Sequence, residues 1–234
     1  MLLRFPDLTA ASRAAADMIR ERASRAVEDR GWFSLALSGG ETPRELFRLL
    51  ADDAELPWLR THVFWADERH VPPESPHSNV HLARQLLLSR VPIPEANVHA
   101  PDTSLSPLAA AREYDQRIRG VFSSLQHGNG SMPSLDVILL GLGRDGHTAS
   151  LFPGSPLLAE QSSLVAASPA AGSPAVARLT MTLPLINAAR TVIFLLAGEE
   201  KLGLLEQILG GRRPDAPAAM IKPNRELYWL VADR

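Results

Sequence analysis

The chain has 234 residues, of which 45% are hydrophobic and 21% are charged, and its net charge at pH 7 is −2. This content is enough for a large core, and we expect residues 1–234 to form a single domain because no linker long enough to separate two domains is visible. The near-neutral charge gives no electrostatic reason to bind nucleic acid or a membrane surface, so neither is expected as a partner. The absence of cysteine excludes disulfides and thiolate metal sites. The N-terminal residues lack the basic start and apolar stretch of a signal peptide, so we expect a cytoplasmic protein.

Helices and strands are predicted to alternate along the chain. Residues 9–30 have apolar side chains at helical spacing and predict an amphipathic helix that ends near Gly31. Further helices are predicted from Pro43, from Ser78 or Asn79 to about Ser89, over Pro107–Leu125, over Leu183–Ala189 and from Gly198 to Leu209. Short apolar or alternating runs predict strands at Phe33–Leu37, His62–Ala66, Leu135–Leu140, Leu164–Ala167, Arg178–Thr182, Thr191–Ala197 and Leu227–Val231. This alternation is typical of an α/β fold with a doubly wound, mainly parallel, Rossmann-like sheet and helices on both faces.

The connections between these elements are predicted from their composition. Residues 91–104 are rich in Pro, Asn and Asp and predict a connection with one short strand. Gln126–Ser134 predicts a flexible loop. Ala170–Pro174 is small and flexible, and it is a candidate for a segment that moves over a ligand.

The first polar cluster follows the strand Phe33–Leu37. It reads Ser38, Gly39, Gly40, Glu41, Thr42, Pro43, Arg44 and Glu45. Thr42 is predicted to be the N-cap of a helix, with Pro43 at its first position and Glu45 completing a capping box. Free backbone N–H groups and the positive end of a helix dipole make such a turn suitable for a phosphate, although the pattern of nucleoside-triphosphate loops is lacking. The alternative is a tight turn whose glycines serve geometry only.

The second polar cluster, Asp67, Glu68, Arg69 and His70, follows the strand His62–Ala66. A solvated loop is the usual explanation for such a charge run and stays open here. Two other predicted strands end in polar clusters, however, and the carboxyl ends of parallel strands meet at the edge where α/β sheets bind ligands. That placement favours a functional role.

The third cluster follows Leu135–Leu140 and includes Asp145 and His147. Gly141–Gly146 matches the GxGxxG pattern of dinucleotide sites, but Asp145 would place a carboxylate where the pyrophosphate lies. The acidic residue expected at the end of the next strand is also missing, which argues against a dinucleotide.

His147 is the best candidate for a general base, because a neutral imidazole accepts a proton at physiological pH. Asp145 is placed to fix its tautomer or ring position. The alternative is a loop histidine that only forms hydrogen bonds. No GxSxG serine and no cysteine supply a nucleophile, and no metal-ligand spacing such as HExxH is present.

The three clusters have the order and spacing of a known set of motifs. They read Ser38-Gly39-Gly40-Glu41-Thr42-Pro43, then Asp67-Glu68-Arg69-His70-Val71-Pro72 with Ser78-Asn79 downstream, then Gly141-Leu142-Gly143-Arg144-Asp145-Gly146-His147-Thr148-Ala149-Ser150-Leu151-Phe152-Pro153. With these motifs the chain resembles the 6-phosphogluconolactonase family. Arg178–Thr182 and Gly198–Lys201 also resemble family segments, so the likeness extends over nearly the whole chain. The third motif is highly specific, whereas the first is shared with sugar-phosphate isomerases and deaminases.

The resemblance implies a fold of the sugar-phosphate isomerase/deaminase type and hydrolysis of 6-phosphoglucono-1,5-lactone to 6-phosphogluconate in the oxidative pentose phosphate pathway. It implies no metal and no organic cofactor, and a small sugar-phosphate lactone as partner. The sequence does not give the oligomeric state, and a monomer or small homo-oligomer is expected. His147 would be the general base, and Arg69 would contact either the carbonyl oxygen or the phosphate. The residues implied to hold or orient the substrate are Ser38, Gly39, Gly40, Thr42, Asp67, Asp145, Arg178 and Lys201. Lys201 is one of only two lysines in an arginine-rich chain, which agrees with a specific role.

Two alternatives stay open. The related glucosamine-6-phosphate deaminases carry a glutamate just before the Pro-Gly that follows the DGH turn, where this chain has Phe152, and DEY where it has Arg69 after Asp67 and Glu68. Without that glutamate, ring opening lacks a proton-handling group. A non-catalytic sugar-phosphate sensor needs only the phosphate loop, so the presence of Asp145 and His147 argues against it.

Overall fold

The computed structural model describes residues 1–126, 132–172 and 174–233, which form a layered α/β fold. The strands are β1 (Leu2–Phe5), β2 (Phe33–Leu37), β3 (Thr61–Trp65), β4 (Asp67–Arg69), β5 (Val137–Leu140), β6 (Val165–Ala171), β7 (Val176–Met181), β8 (Thr191–Ala197) and β9 (Glu226–Ala232). The helices are α1 (Leu8–Arg30), α2 (Pro43–Ala51), α3 (Asn79–Leu86), α4 (Pro107–Leu125), α5 (Leu183–Ala188) and α6 (Glu199–Leu209). The predicted alternation of helices and strands is confirmed, with boundaries that shift by a few residues.

The central sheet is parallel and has the strand order β1-β9-β8-β5-β2-β3. In its middle, Ile138 of β5 pairs with Ala36 of β2 and with Val192 of β8. These strands are buried on both faces, which explains their unbroken apolar runs. The prediction missed β1, because this short strand lies at the sheet edge and its residues alternate between exposed and half-buried.

Two hydrophobic layers cover the faces of this sheet. On one face α1, α2 and α3 pack against the sheet, and Ile19, Phe47 and Ile193 of β8 belong to the same buried layer. On the other face lie α4, α5 and α6, and Phe122 of α4 and Phe194 of β8 belong to this second buried layer. Consecutive residues of β8 thus belong to opposite layers, as expected for a central strand of a doubly wound fold.

Most helix ends follow the sequence signals. Gly31, with φ 83°, ends α1 as predicted, and Asp7 begins that helix by accepting the N–H of Ala10 at 2.8 Å. Ser78 caps α3 by accepting the N–H of His81 at 3.1 Å.

The predicted capping box at Thr42 is wrong. Thr42 already has helical backbone angles, φ −58° and ψ −44°, and its side chain makes no cap hydrogen bond. An N-cap hydroxyl accepts an N–H of the first helical turn when its own backbone is extended, and the backbone of Thr42 is not extended. Pro43 begins α2 as predicted.

A second, antiparallel sheet has the order β4-β7-β6. Asp67 of β4 pairs with Thr180 of β7, and Arg69 pairs with Arg178. Asp67 and Glu68 are only 7% and 1% exposed, so the solvated-loop explanation of this charge run is wrong for both residues. They tolerate burial because neighbouring elements supply hydrogen-bond partners.

Ala66 alone separates β3 from β4. Its N–H donates to the carbonyl of Leu37 in the central sheet at 2.8 Å. Its carbonyl accepts the N–H of Met181 in the second sheet at 2.7 Å. One residue is therefore hydrogen-bonded to both sheets.

The predicted connections are described only in part. The short strand expected within 91–104 is reduced to a single bridge between Val98 and Val63. Residues 127–131 of the predicted flexible loop lie outside the described residues, as does residue 173 of the predicted mobile segment, whose Ala170 and Ala171 belong to β6. In the described part of the chain, no helix has the length and apolar character needed to cross a membrane.

Candidate active site

A cavity of about 180 Å³ opens where the central strands β2 and β5 end. Nearly all of the predicted site residues line it, namely Ser38, Gly39, Gly40, Thr42, Asp67, Arg69, His147, Arg178 and Lys201. Asp145 is the exception, and it lies next to His147 instead. The fold thus gathers residues from both sheets, and from loops far apart in the sequence, around one space.

The glycine loop is held by contacts that differ from residue to residue. Gly40 has φ 98°, in the left-handed region that favours glycine. A Cβ on Gly39 would lie 1.8 Å from Oδ1 of Asn79, so only glycine fits there without displacing that side chain. The hydroxyl of Ser38 donates to the carbonyl of Leu139 at 2.8 Å and so joins β2 to β5. Because that hydroxyl proton is used, Ser38 offers a ligand its backbone rather than its hydroxyl proton.

His147 and Asp145 form a hydrogen-bonded pair. Nδ1 of His147 lies 2.6 Å from Oδ1 of Asp145, which also accepts the backbone N–H of His147 at 3.1 Å. Burial alone would raise the pKa of Asp145, but these hydrogen bonds and the nearby ring outweigh it and lower that pKa. A carboxylate at Nδ1 holds the proton on that nitrogen and leaves the lone pair of Nε2 to accept another.

The ring of His147 is confined on two sides. A Cβ on Gly143 would lie 2.1 Å from its Nδ1, so the absence of a side chain at position 143 makes room for the imidazole. The ring of Phe152 lies 4.6 Å away, centroid to centroid, tilted by 39°. Packing as well as the Asp145 hydrogen bond therefore sets the ring orientation.

Asp67 connects several segments beneath the cavity. Its Oδ2 accepts the hydroxyl of Ser150 at 2.7 Å, and its Oδ1 accepts Nδ2 of Asn79 at 3.3 Å. Nη1 of Arg178 lies 3.9 Å from Oδ2. Burial lowers the pKa of Arg178, and the charge of Asp67 acts against that effect. The carboxylate of Asp67 thus stabilises a buried guanidinium that lines the cavity.

Arg69 lies beside Asp67 on the second sheet. Its Nη1 donates to the carbonyl of His77 at 2.8 Å. Its Nε is buried and has no hydrogen-bond partner among the described residues. Buried donors are normally paired, so Nε is an unsatisfied donor on a residue that lines the cavity.

Glu68 is a site residue for which the sequence suggested no role. Its carboxylate is buried and accepts four hydrogen bonds, from the N–H groups of Arg69 (2.6 Å), Asn79 (2.8 Å) and Val80 (2.7 Å) and from the hydroxyl of Ser78 (2.9 Å). Burial raises the pKa of Glu68, although these donors act in the opposite direction. The side chain joins Arg69 to the start of α3. The Ser78-Asn79 motif was the only signal for this link.

Lys201 reaches the cavity from the first turn of α6. Burial lowers the pKa of its ammonium group, and the charge of Arg144 adds to that effect. Arg144 itself pairs with Glu200 at 2.9 Å. An anion bound beside Lys201 would favour its charged form, which makes this position suited to a phosphate.

Within the described residues, no group of three or more His, Asp or Glu side chains is arranged to hold a metal ion. The cavity instead combines three cations, Arg69, Arg178 and Lys201, with one histidine.

Comparison with known proteins identifies the family. The sequence profile described as glucosamine-6-phosphate isomerases/6-phosphogluconolactonase matches residues 6–229. A 6-phosphogluconolactonase of Nostoc sp. is 42% identical over 230 residues, which cover 97% of this chain and 93% of the relative. The 6-phosphogluconolactonase of Homo sapiens is 38% identical over 225 residues, which cover 93% and 85%. The crystal structure of 6-phosphogluconolactonase from Thermotoga maritima is similar with a TM-score of 0.88 at 31% identity, covering 100% of this chain and 99% of the other. The chain therefore belongs to the glucosamine-6-phosphate isomerase/6-phosphogluconolactonase family.

Proposed function

We propose that the chain hydrolyses 6-phosphoglucono-1,5-lactone to 6-phosphogluconate, in the oxidative pentose phosphate pathway. The relatives named above are 6-phosphogluconolactonases and match nearly the whole chain. The observation that carries the proposal is the imidazole of His147, held by Asp145 at the edge of a cavity lined by three cations. A phosphorylated lactone requires both an anion site and a base.

His147 acts as the general base in this reaction. Asp145 is a positioning residue that holds the proton on Nδ1, so that Nε2 accepts a proton from a water molecule. The water adds to the lactone carbonyl, and the carbon–oxygen bond to the ring oxygen then breaks. The proton held on Nε2 of His147 passes to that oxygen, which becomes a hydroxyl group, and the new carboxylic acid loses its proton to solvent to give the carboxylate. Negative charge develops on the carbonyl oxygen and requires a positive or N–H partner.

The cations and the glycine loop bind the anionic substrate. Lys201 and the loop of Ser38, Gly39, Gly40 and Thr42 hold the phosphate, and the hydroxyl of Thr42 is free of any cap hydrogen bond. Arg69 contacts either the phosphate or the carbonyl oxygen, and Arg178 is a further substrate contact oriented by Asp67. Kinetics separate the two roles of Arg69: loss of a phosphate contact raises KM, whereas loss of a carbonyl contact lowers kcat.

Phe152 favours lactone hydrolysis over deamination. Where the deaminases carry a glutamate, this chain places an aromatic ring against His147 and 5.9 Å from the guanidinium carbon of Arg178. An apolar ring cannot move the proton that ring opening requires. The proposal also includes a single domain, a cytoplasmic location and a monomer or small homo-oligomer. It includes no nucleic-acid or membrane partner. The net charge of −2 supports the absence of polyanionic partners.

The decisive experiment measures loss of freshly prepared lactone with and without the protein, followed by proton release and by coupled detection of 6-phosphogluconate. His147→Ala should lower kcat by about 10²-fold or more with little change in KM. His81→Ala, which changes a half-buried histidine on α3 away from the cavity, is the matched control and should keep the activity. Absence of acceleration by the wild-type protein would contradict the proposal. Turnover of glucosamine 6-phosphate would then indicate a deaminase, and binding without turnover a sensor.

A further inference from the structure

The segment between α6 and β9 contacts the turn that carries Asp145 and His147. Nη2 of Arg213 donates to the carbonyl of Asp145 at 3.0 Å, and the N–H of Ala218 donates to the carbonyl of Gly146 at 3.2 Å. A Cβ on Gly146, where φ is 94°, would come within 2.7 Å of the Ala216 side chain. This segment therefore packs directly against the turn.

Arg213 is itself held in place by Asp215. Its Nε donates to Oδ1 of Asp215 at 3.0 Å, and its Nη2 lies 3.1 Å from Oδ2. A two-point contact of this kind fixes the plane of the guanidinium and therefore the direction of its remaining donors. Asp215 therefore holds the guanidinium of Arg213 in the orientation in which Nη2 points at the carbonyl of Asp145.

The turn is stabilised on its other side by its own backbone. Gly143 donates its N–H to the carbonyl of His147 at 2.8 Å, and Gly146 donates to the carbonyl of Gly143 at 3.0 Å. The N–H of Gly146 and the carbonyl of Asp145 belong to one peptide plane, so the carbonyl of Gly143 and Nη2 of Arg213 hold that peptide through its two ends. Rotation of that peptide would move the Asp145 carboxylate relative to Nδ1 of His147.

We propose that Arg213 is a positioning residue: by holding the carbonyl of Asp145, it fixes the carboxylate that orients His147. The inference rests on the proposed role of His147 as general base. Because Asp215 balances the charge of Arg213, the effect is on geometry rather than on the net charge near the ring. A displacement of about 1 Å in a catalytic group costs up to about 10²-fold in rate, and partial loosening of an exposed turn should cost less.

The test compares Arg213→Ala with Arg212→Ala, an exposed neighbour whose guanidinium lies beside Gly210 rather than at the Asp145 turn. Arg213→Ala should lower kcat about tenfold while KM stays within twofold. The second readout is the ring ¹⁵N signals of His147, identified by their loss in His147→Ala. They should shift and broaden in Arg213→Ala but not in Arg212→Ala. Asp215→Asn, which loosens the guanidinium but keeps it, should change kcat and the signals in the same direction by less.

A kcat equal to that of Arg212→Ala, or unchanged His147 signals, would overturn the inference while leaving lactone hydrolysis intact. If the wild-type protein does not hydrolyse the lactone, the proposed function fails, and the ring signals still decide whether Arg213 orients His147. If Arg213→Ala does not fold, the kcat and ring signals of Asp215→Asn decide.

Discussion

Replacing Gly143 with alanine should displace the imidazole of His147, the proposed base, without changing any atom of that side chain. Gly143 lies in the turn after β5, and its φ is not in the left-handed region, so alanine is compatible with its backbone. The added methyl group would lie 2.1 Å from Nδ1, 2.2 Å from Cε1 and 2.8 Å from Cγ of His147. The perturbation therefore acts on the imidazole ring itself.

The size of the effect follows from these distances. An ordinary carbon contact is no closer than about 3.4 Å, so the ring must move by about 1.3 Å. The backbone cannot yield easily, because the N–H of Gly143 is bonded to the carbonyl of His147 at 2.8 Å. Such a shift breaks the 2.6 Å bond from Nδ1 to Asp145 and should lower kcat by about 10²-fold. Stability should change by less than about 1 kcal/mol, since the side chain of His147 is 29% exposed and the ring can turn towards solvent.

Initial rates on fresh lactone, together with thermal unfolding, measure both quantities. Gly120→Ala is the matched control: it adds the same methyl group on α4, where no atom of the described residues lies within 4 Å of it, and it should keep the activity. A double variant, Gly143→Ala with His147→Ala, should be no slower than His147→Ala alone, because both changes act through one ring.

Two results would refute this reasoning. Near-normal activity of Gly143→Ala would mean that the turn accommodates the methyl group without moving the imidazole. A double variant much slower than His147→Ala would mean that the methyl group acts elsewhere, for example on the substrate.

Three further predictions follow from burial and charge. Lys201→Ala should raise KM with little effect on kcat. Lys222→Ala, which changes the exposed second lysine, should leave KM unchanged. If Lys201→Ala lowered only kcat at saturating lactone, the phosphate role of Lys201 would be contradicted. Glu68→Ala leaves several buried N–H groups without acceptors and should lower the free energy of unfolding by about 3 kcal/mol in denaturant titrations. Glu95→Ala, which removes an exposed partner of Arg84, should cost less than about 0.5 kcal/mol, and equal losses would show that Glu68 is not structurally important. Burial, and then the charges of His62 and Arg117, lowers the pKa of His99 to about 4, below the value near ~6.5 of an unfolded histidine. Between pH 6.5 and 4 the unfolded state therefore binds more protons than the folded state, and the free energy of unfolding should fall by about 1–2 kcal/mol across this range. The fall should be smaller in His99→Gln. An equal dependence of the free energy of unfolding on pH in both proteins would disprove the assignment to His99.

The sequence predicted what depends on local patterns. Apolar runs followed by glycines located β2 and β5, and the glycine loop after β2 lines one cavity together with His147 after β5. Parallel strands place their carboxyl ends at one edge, so no long-range information was needed for that part of the site.

The contacts that the sequence did not reveal depend on tertiary packing. A run of charged residues has the same sequence whether it is solvated or buried. The buried position of Glu68 depends on the N–H groups that the start of α3 donates to its carboxylate, and the sequence does not show that contact. Thr42 has the composition of a cap but not the backbone angles. Arg213 meets the turn of Asp145 only because α6 and β9 bring a distant loop to it.

The single residue Ala66, which links the two sheets, affects which parts of the site can change independently in evolution. His147, the proposed base, follows β5 of the central sheet, whereas Arg69 and Arg178 lie on the second sheet, and Ala66 is hydrogen-bonded to both sheets. Substitutions in β4, β6 and β7 can therefore alter which molecule is recognised while the base stays at the end of β5. The contacts that Arg69 and Arg178 make can therefore vary separately from the proposed proton transfer, provided that Ala66 keeps its hydrogen bonds to Leu37 and Met181.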